Sequence, residues 1–118
     1  MAMTEPVHIV DAFADAPFTG NPAAVVVLRQ QAEAAWMQDV AMEMNLSETA
    51  FVRPIDHDAA PFELRWFTPA VEVELCGHAT LATAHVLWTV GWQEIGTALR
   101  FLTRKAGVTT RAVGKAFC

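Results

Sequence analysis

Leu75-Cys76-Gly77-His78-Ala79 is the most chemically suggestive segment of the chain: an alternating stretch meets an apolar one through a glycine. A strand that feeds a helix there leaves the first amide hydrogens of the helix without internal partners, and the peptide dipoles make that end positive. Gly77 carries no side chain to block close approach, so the junction suits a carboxylate or an enolate-like oxygen. His78 falls in the first turn. A histidine beside a helix amino terminus is held neutral at pH 7 and can both donate and accept a proton. Taken alone, the same position also suits a core histidine bonded to backbone. Cys76 is either a thiolate base, since a helix amino terminus favours the thiolate, or a buried inert cysteine.

Glu48 stands among apolar neighbours in Asn45-Leu46-Ser47-Glu48-Thr49-Ala50-Phe51. A carboxylate there is either a cap or loop residue, or a desolvated acid able to move a proton. Other groupings read as structure. Asp56, His57 and Asp58 lie in a Pro- and Ala-rich stretch that reads as solvated loop. His85 follows His78 by two helical turns, roughly 10.5 Å, too far to share one metal ion. Met37, Met42 and Met44 read as helix packing, and the four tryptophans are too dispersed for a stacking platform.

The elements that must position these groups are legible from periodicity. Val7 to Ala14 reads as a strand, followed by a Phe18-Thr19-Gly20-Asn21-Pro22 turn and a short apolar strand from Ala23 to Leu28. Gln30 to Met44 reads as an amphipathic helix, with Trp36, Met37, Val40, Ala41 and Met44 on one face and Asn45 ending it. Strands are expected over Ser47–Arg53, Phe62–Phe67 and Val71–Leu75, the last by clean alternation. Gly77 to Val90 reads as a helix apolar nearly all round, hence buried on all sides, with Gly91 closing it. Leu99–Thr103 and Val108–Val113 suit two further strands. The fold class expected is α+β: a mixed or antiparallel sheet wrapped around a central apolar helix.

Composition bounds the function. The chain has 118 residues, a formal net charge of −5 and 53% residues of the AVILMFWYC class. That is one domain with ample core. An acidic chain argues against nucleic acid as partner. Arg100, Arg104, Lys105, Arg111 and Lys115 all lie at its carboxyl end and read as a solvated tail. No apolar run approaches the ~20 residues of a membrane span, and the first residues lack a secretory leader, so a soluble cytoplasmic protein is expected. The two cysteines, Cys76 and Cys118, form no zinc-ligand pattern.

Four segments taken together resemble the phenazine-biosynthesis (PhzF-like) isomerases: VDAFADAPFTGNPAAVVVL, MNLSETAFV, LRWFTPAVEVELCGHATLATAHVL and LRFLTR. The resemblance covers most of residues 7 to 104. It divides the chain into a PhzF-like amino-terminal domain over 1–104 and a divergent basic tail over 105–118. It implies one half of a diaminopimelate-epimerase-like fold, in which two similar domains each wrap a sheet around an apolar helix and share an active-site cleft. By resemblance, Glu48 matches the family's catalytic glutamate and His78 the histidine of its Gly-His motif. Cys76 stands where related epimerases carry a catalytic thiol. Gly77, His78 and Ala79 would give backbone donors to a substrate carboxylate, and Asn21 would shape the site. The implied chemistry is proton transfer next to a carboxylate or enol of a small metabolite, with no metal or organic cofactor required. Family chains are roughly twice as long, so a homodimer or higher oligomer is expected, a second copy covering the exposed apolar face.

Overall fold

The computed structural model describes residues 7–12, 21–56, 60–74, 77–92, 99–104, 107–113 and 116–117. Their elements are β1 (Val7–Ala12), β2 (Asn21–Val27), α1 (Ala34–Met44), β3 (Glu48–Pro54), β4 (Phe62–Phe67), β5 (Glu72–Val73), α2 (Gly77–Thr89), β6 (Leu99–Thr103), β7 (Gly107–Val113) and β8 (Ala116–Phe117). The strands form one sheet in the order β1-β2-β3-β4-β6-β7-β8, with β5 also pairing β4. The pairs β2/β3 and β4/β6 are parallel and the others antiparallel. The fold is therefore the α+β class expected from periodicity.

Both parallel pairs are joined by helical crossovers: α1 between β2 and β3, α2 between β4 and β6. Strands β2 and β4 run in opposite directions, while both crossovers step the same way across the sheet. Crossovers of the usual right hand must then put the two helices on opposite faces. The side chains follow. Ala23, Val25 and Val27 pack with Ala50, Val52, Leu64 and Trp66 against α2. Val26, Leu28, Phe51 and Phe67 pack instead with Met37 and Ala41 of α1. Alternate residues of one strand thus enter different cores, which is why Ala23–Leu28 is apolar without a break.

Helix α2 touches β1, β2, β3 and β7, so the sheet curls round it. Its described side chains are buried except at His85 and at Thr89 in the last turn. Two of the buried side chains are threonines, and both are bonded. Thr83 Oγ1 donates to the Ala79 carbonyl at 2.7 Å, and Thr80 Oγ1 accepts from the Trp66 indole at 3.1 Å. Gly91 closes the helix region at φ 82°, a conformation glycine adopts without strain. No helix of the described residues is long and apolar enough to cross a membrane.

Among the described residues three features differ most from the sequence expectation. Helix α1 starts at Ala34 and not Gln30, because the Leu28 amide still donates to the Val52 carbonyl and Glu33 is extended. Strand β5 has two residues and not five. The Val71 carbonyl is taken by the Thr68 amide and hydroxyl in a tight turn, which delays sheet pairing, and Leu75 lies outside the described residues. The carboxyl-terminal residues add β8, a short strand paired with β7. Asn45 ends α1 as expected, in the left-handed region at φ 51°, with its amide bonded to the Ala41 carbonyl.

Candidate active site

Glu48 is the first residue of β3, opposite Ala23 of β2. Its face follows from the period of two. Ala50 and Val52 lie in the core under α2, so Glu48, two residues earlier, opens on the same face. The residue is half-buried and engaged with its neighbours, and its Oε2 is shielded from solvent.

Hydrogen bonding fixes where α2 begins relative to Glu48. Trp66 is the register partner of Ala50, and its indole N–H donates to Thr80 in the first turn of α2. Glu48 is two strand residues from Ala50, about 7 Å along the strand. His78 is two helix residues before Thr80, about 3 Å along the axis. Strand β3 begins where β4 ends, Thr49 lying opposite Phe67, so Glu48 and the turn Gly77-His78-Ala79 lie toward the same end of the sheet, on the α2 face. Asn21, the first residue of β2, reaches the same end, two residues before the partner of Glu48. Ala79 is fully buried. Cys76 lies outside the described residues.

The arrangement puts a carboxylate and the positive end of a buried helix toward the same end of the sheet, on the same face. Unpaired helix amides bind an anion, and burial strengthens that attraction. A carboxylate beside a bound acid can remove a proton from its neighbouring carbon. His85, on the same helix, is exposed. Among the described residues no group of three His, Cys, Asp or Glu side chains is placed to hold a metal ion.

Two features of this region escape sequence reading. His8 lies on β1 opposite Val25, with its Nε2 buried and without a hydrogen-bond partner among the described residues. Nothing in Val7-His8-Ile9 marks it. The second is an ion cluster. Glu72 Oε2 accepts from Arg65 Nε at 2.8 Å. Its Oε1 accepts from a second Arg65 nitrogen at 2.8 Å and from Arg104 at 2.7 Å. Hydrogen bonding to Arg65, with a further bond from Arg104, holds the Glu72 carboxyl below the usual carboxylate range against the opposing cost of burial. The same bond to Glu72 raises Arg65. The available signal was two opposite charges flanking a Thr-Pro turn, which reads equally well as a solvated hairpin. The cluster borders a cavity of about 360 Å³ that also touches Leu64, Trp66 and Val73, but neither Glu48 nor, among the described residues, α2.

Comparison with known proteins places the chain as a whole. The family model described as phenazine biosynthesis-like protein matches residues 10–116. An uncharacterized isomerase of Halalkalibacterium halodurans is 52% identical over 108 residues, covering 92% of this chain and 39% of its own. A human phenazine biosynthesis-like domain-containing protein is 55% identical over 114 residues, with the same two coverages. The crystal structure of a PhzF-family phenazine biosynthesis protein from Enterococcus faecalis superposes with a TM-score of 0.81 at 46% identity, covering 94% of this chain and 40% of that one. The chain spans about 40% of the length of the relatives it matches.

Proposed function

The chain belongs to the phenazine biosynthesis-like (PhzC–PhzF) family, and from that premise we propose that it forms one wall of a cofactor-independent isomerase site acting on a small carboxylated metabolite. The observations that support the reading are that Glu48 opens β3 on the α2 face and that the Trp66–Thr80 bond docks the first turn of α2 on the adjacent strand β4. In this mechanism the amides of Gly77, His78 and Ala79 hold the substrate carboxylate or the enolate oxygen that develops from it. Glu48 removes the proton from the adjacent carbon and returns it, to the same or a neighbouring carbon. His78 orients the substrate or relays the proton. By resemblance Cys76 is a further candidate base, and Asn21, at the first position of β2, helps shape the site.

In this reading the opposite wall comes from a second domain of the same kind, and pairing with a second copy of this domain is one way to supply it. One finding supports that part of the reading: the relatives are more than twice the length matched here. Light scattering then gives a dimer or larger assembly, and a well-folded dilute monomer rejects the pairing.

The chemistry can be tested before any substrate is identified. Small carboxylic acids are incubated with the protein in deuterium oxide, and deuterium is sought by NMR at the carbon next to the carboxylate. Incorporation at one compound, lowered at least ~100-fold in Glu48→Gln, is the expected result. Equal incorporation by the variant removes Glu48 from the mechanism. A domain that binds carboxylates at 77–79 without any exchange instead fits a non-catalytic binding module.

A further inference from the structure

We infer that Arg65, Glu72 and Arg104 form a clasp that positions the amino-terminal turn of α2; the functional meaning of the clasp rests on the reading of that turn as the seat of the substrate carboxylate. Among the described residues strand β5 pairs with β4 through Trp66–Val73 and Phe67–Glu72. Glu72 precedes the first residue of α2 by five positions. Two ladder pairs are a slender hold on the segment that sets where the helix begins.

Adjacent residues of β4 hold the segment from opposite faces. Trp66 reaches through the α2 face to Thr80, inside the first turn itself. Arg65 reaches over the other face to Glu72, its diagonal neighbour across β5, and grips both carboxylate oxygens in a planar fork. The Arg65 guanidinium also lies 5.6 Å from the centre of the Phe67 ring, which limits its freedom.

Arg104 adds a third strand to the device. Strands β5 and β6 lie on the same edge of β4, one along Trp66–Phe67 and the other along Phe62–Leu64. The cavity opens between them. Arg104, immediately after β6, crosses that gap to Glu72 Oε1. The bridge thus closes an opening in the sheet that backbone pairing leaves. Its outer arm is 70% exposed, whereas the Arg65 and Glu72 side chains are each under 20% exposed, so the inner pair carries the positioning and Arg104 trims it.

The experiment is amide hydrogen exchange by NMR on the whole protein and on Glu72→Gln, Arg104→Ala and Arg104→Lys. Amides 81–83 report on the first turn, because they bond to the carbonyls of residues 77–79. Amides 87–89 and those of Ala50 and Val52 report on the helix and sheet at large. The clasp predicts exchange at 81–83 at least tenfold faster in Glu72→Gln, with the other amides unchanged. Arg104→Ala gives a smaller effect at the same three positions, and Arg104→Lys restores the unsubstituted pattern. Equal acceleration at every reporter, or none at 81–83, overturns the inference. Should Glu72→Gln fail to fold, Arg104→Ala decides by the same comparison. These readouts are independent of turnover. A failed deuterium-incorporation test with the exchange pattern intact removes the proposed reaction and leaves the clasp standing.

Discussion

Replacing Thr80 by Val tests the docking of α2 on which the site depends. The change keeps the shape of the side chain and removes the acceptor of the Trp66 indole N–H. Trp66 is 1% exposed and Thr80 0%, and the bond is 3.1 Å long. Water cannot replace the lost partner, so the buried donor carries its desolvation penalty, about 1–3 kcal/mol. For a domain of this size that lowers Tm by about 4–12 °C. Trp66→Phe removes the donor as well and vacates the space of the second ring, and so costs more on its own. The informative quantity is the double-mutant cycle. With the indole already gone, Thr80→Val no longer strands a donor, and its cost falls by about 1 kcal/mol. Urea denaturation of the four proteins measures it. Strict additivity would mean that the indole does not meet Thr80, and the register between α2 and β3 would have to be redrawn.

Other consequences are open to measurement. Glu72 faces Arg65 from β4 and Arg104 from beyond β6, Glu63 adds to the field on Arg65, and the carboxyl lies below its ordinary range. Its contribution to stability is therefore complete above the unfolded carboxylate range, about 4.3, and is lost as pH falls through the lower folded value. Urea midpoints followed into acid show that limb, and Glu72→Gln flattens it. Asn45→Val places a β-branched side chain at φ 51° and costs about 1–2 kcal/mol, whereas Asn45→Gly is neutral or mildly stabilising by thermal denaturation. Phe51→Ala empties a site packed edge-on against Phe67 and Trp36, with centroids 5.4 and 6.1 Å away, and costs about 3–5 kcal/mol. Leu64→Ala, on the other face, costs about 2–5 kcal/mol.

Much of this arrangement is written in local patterns. The period of two over Phe62–Phe67 and the all-round apolar character of Gly77–Thr89 place a strand and a buried helix within a residue or so of where they stand. Glu48 stands out because an acid interrupts apolar neighbours at a strand's first position. What escapes is set by partners distant in sequence. Gln30–Glu33 has helical composition, yet Leu28 remains bonded to Val52 and the chain must turn before α1 can start. Val71–Leu75 alternates like a full strand, yet the Thr68 turn consumes the Val71 carbonyl. The link from Arg65 through Glu72 to Arg104 joins residues up to 32 positions apart, and no periodicity reports such a contact. Two cores on opposite faces follow from crossover handedness, which becomes visible only once strand order is known.

The central claim is that the Glu48 carboxylate and the first turn of α2 share one site. A pH titration of the labelled protein by NMR tests it most directly, following the Glu48 carboxyl carbon together with the amides of residues 77–80. The account predicts that these amides shift in step with the Glu48 carboxyl, that the response disappears in Glu48→Gln, and that it survives in Glu72→Gln. Amides that ignore Glu48, or that respond to Glu72 alone, would contradict it.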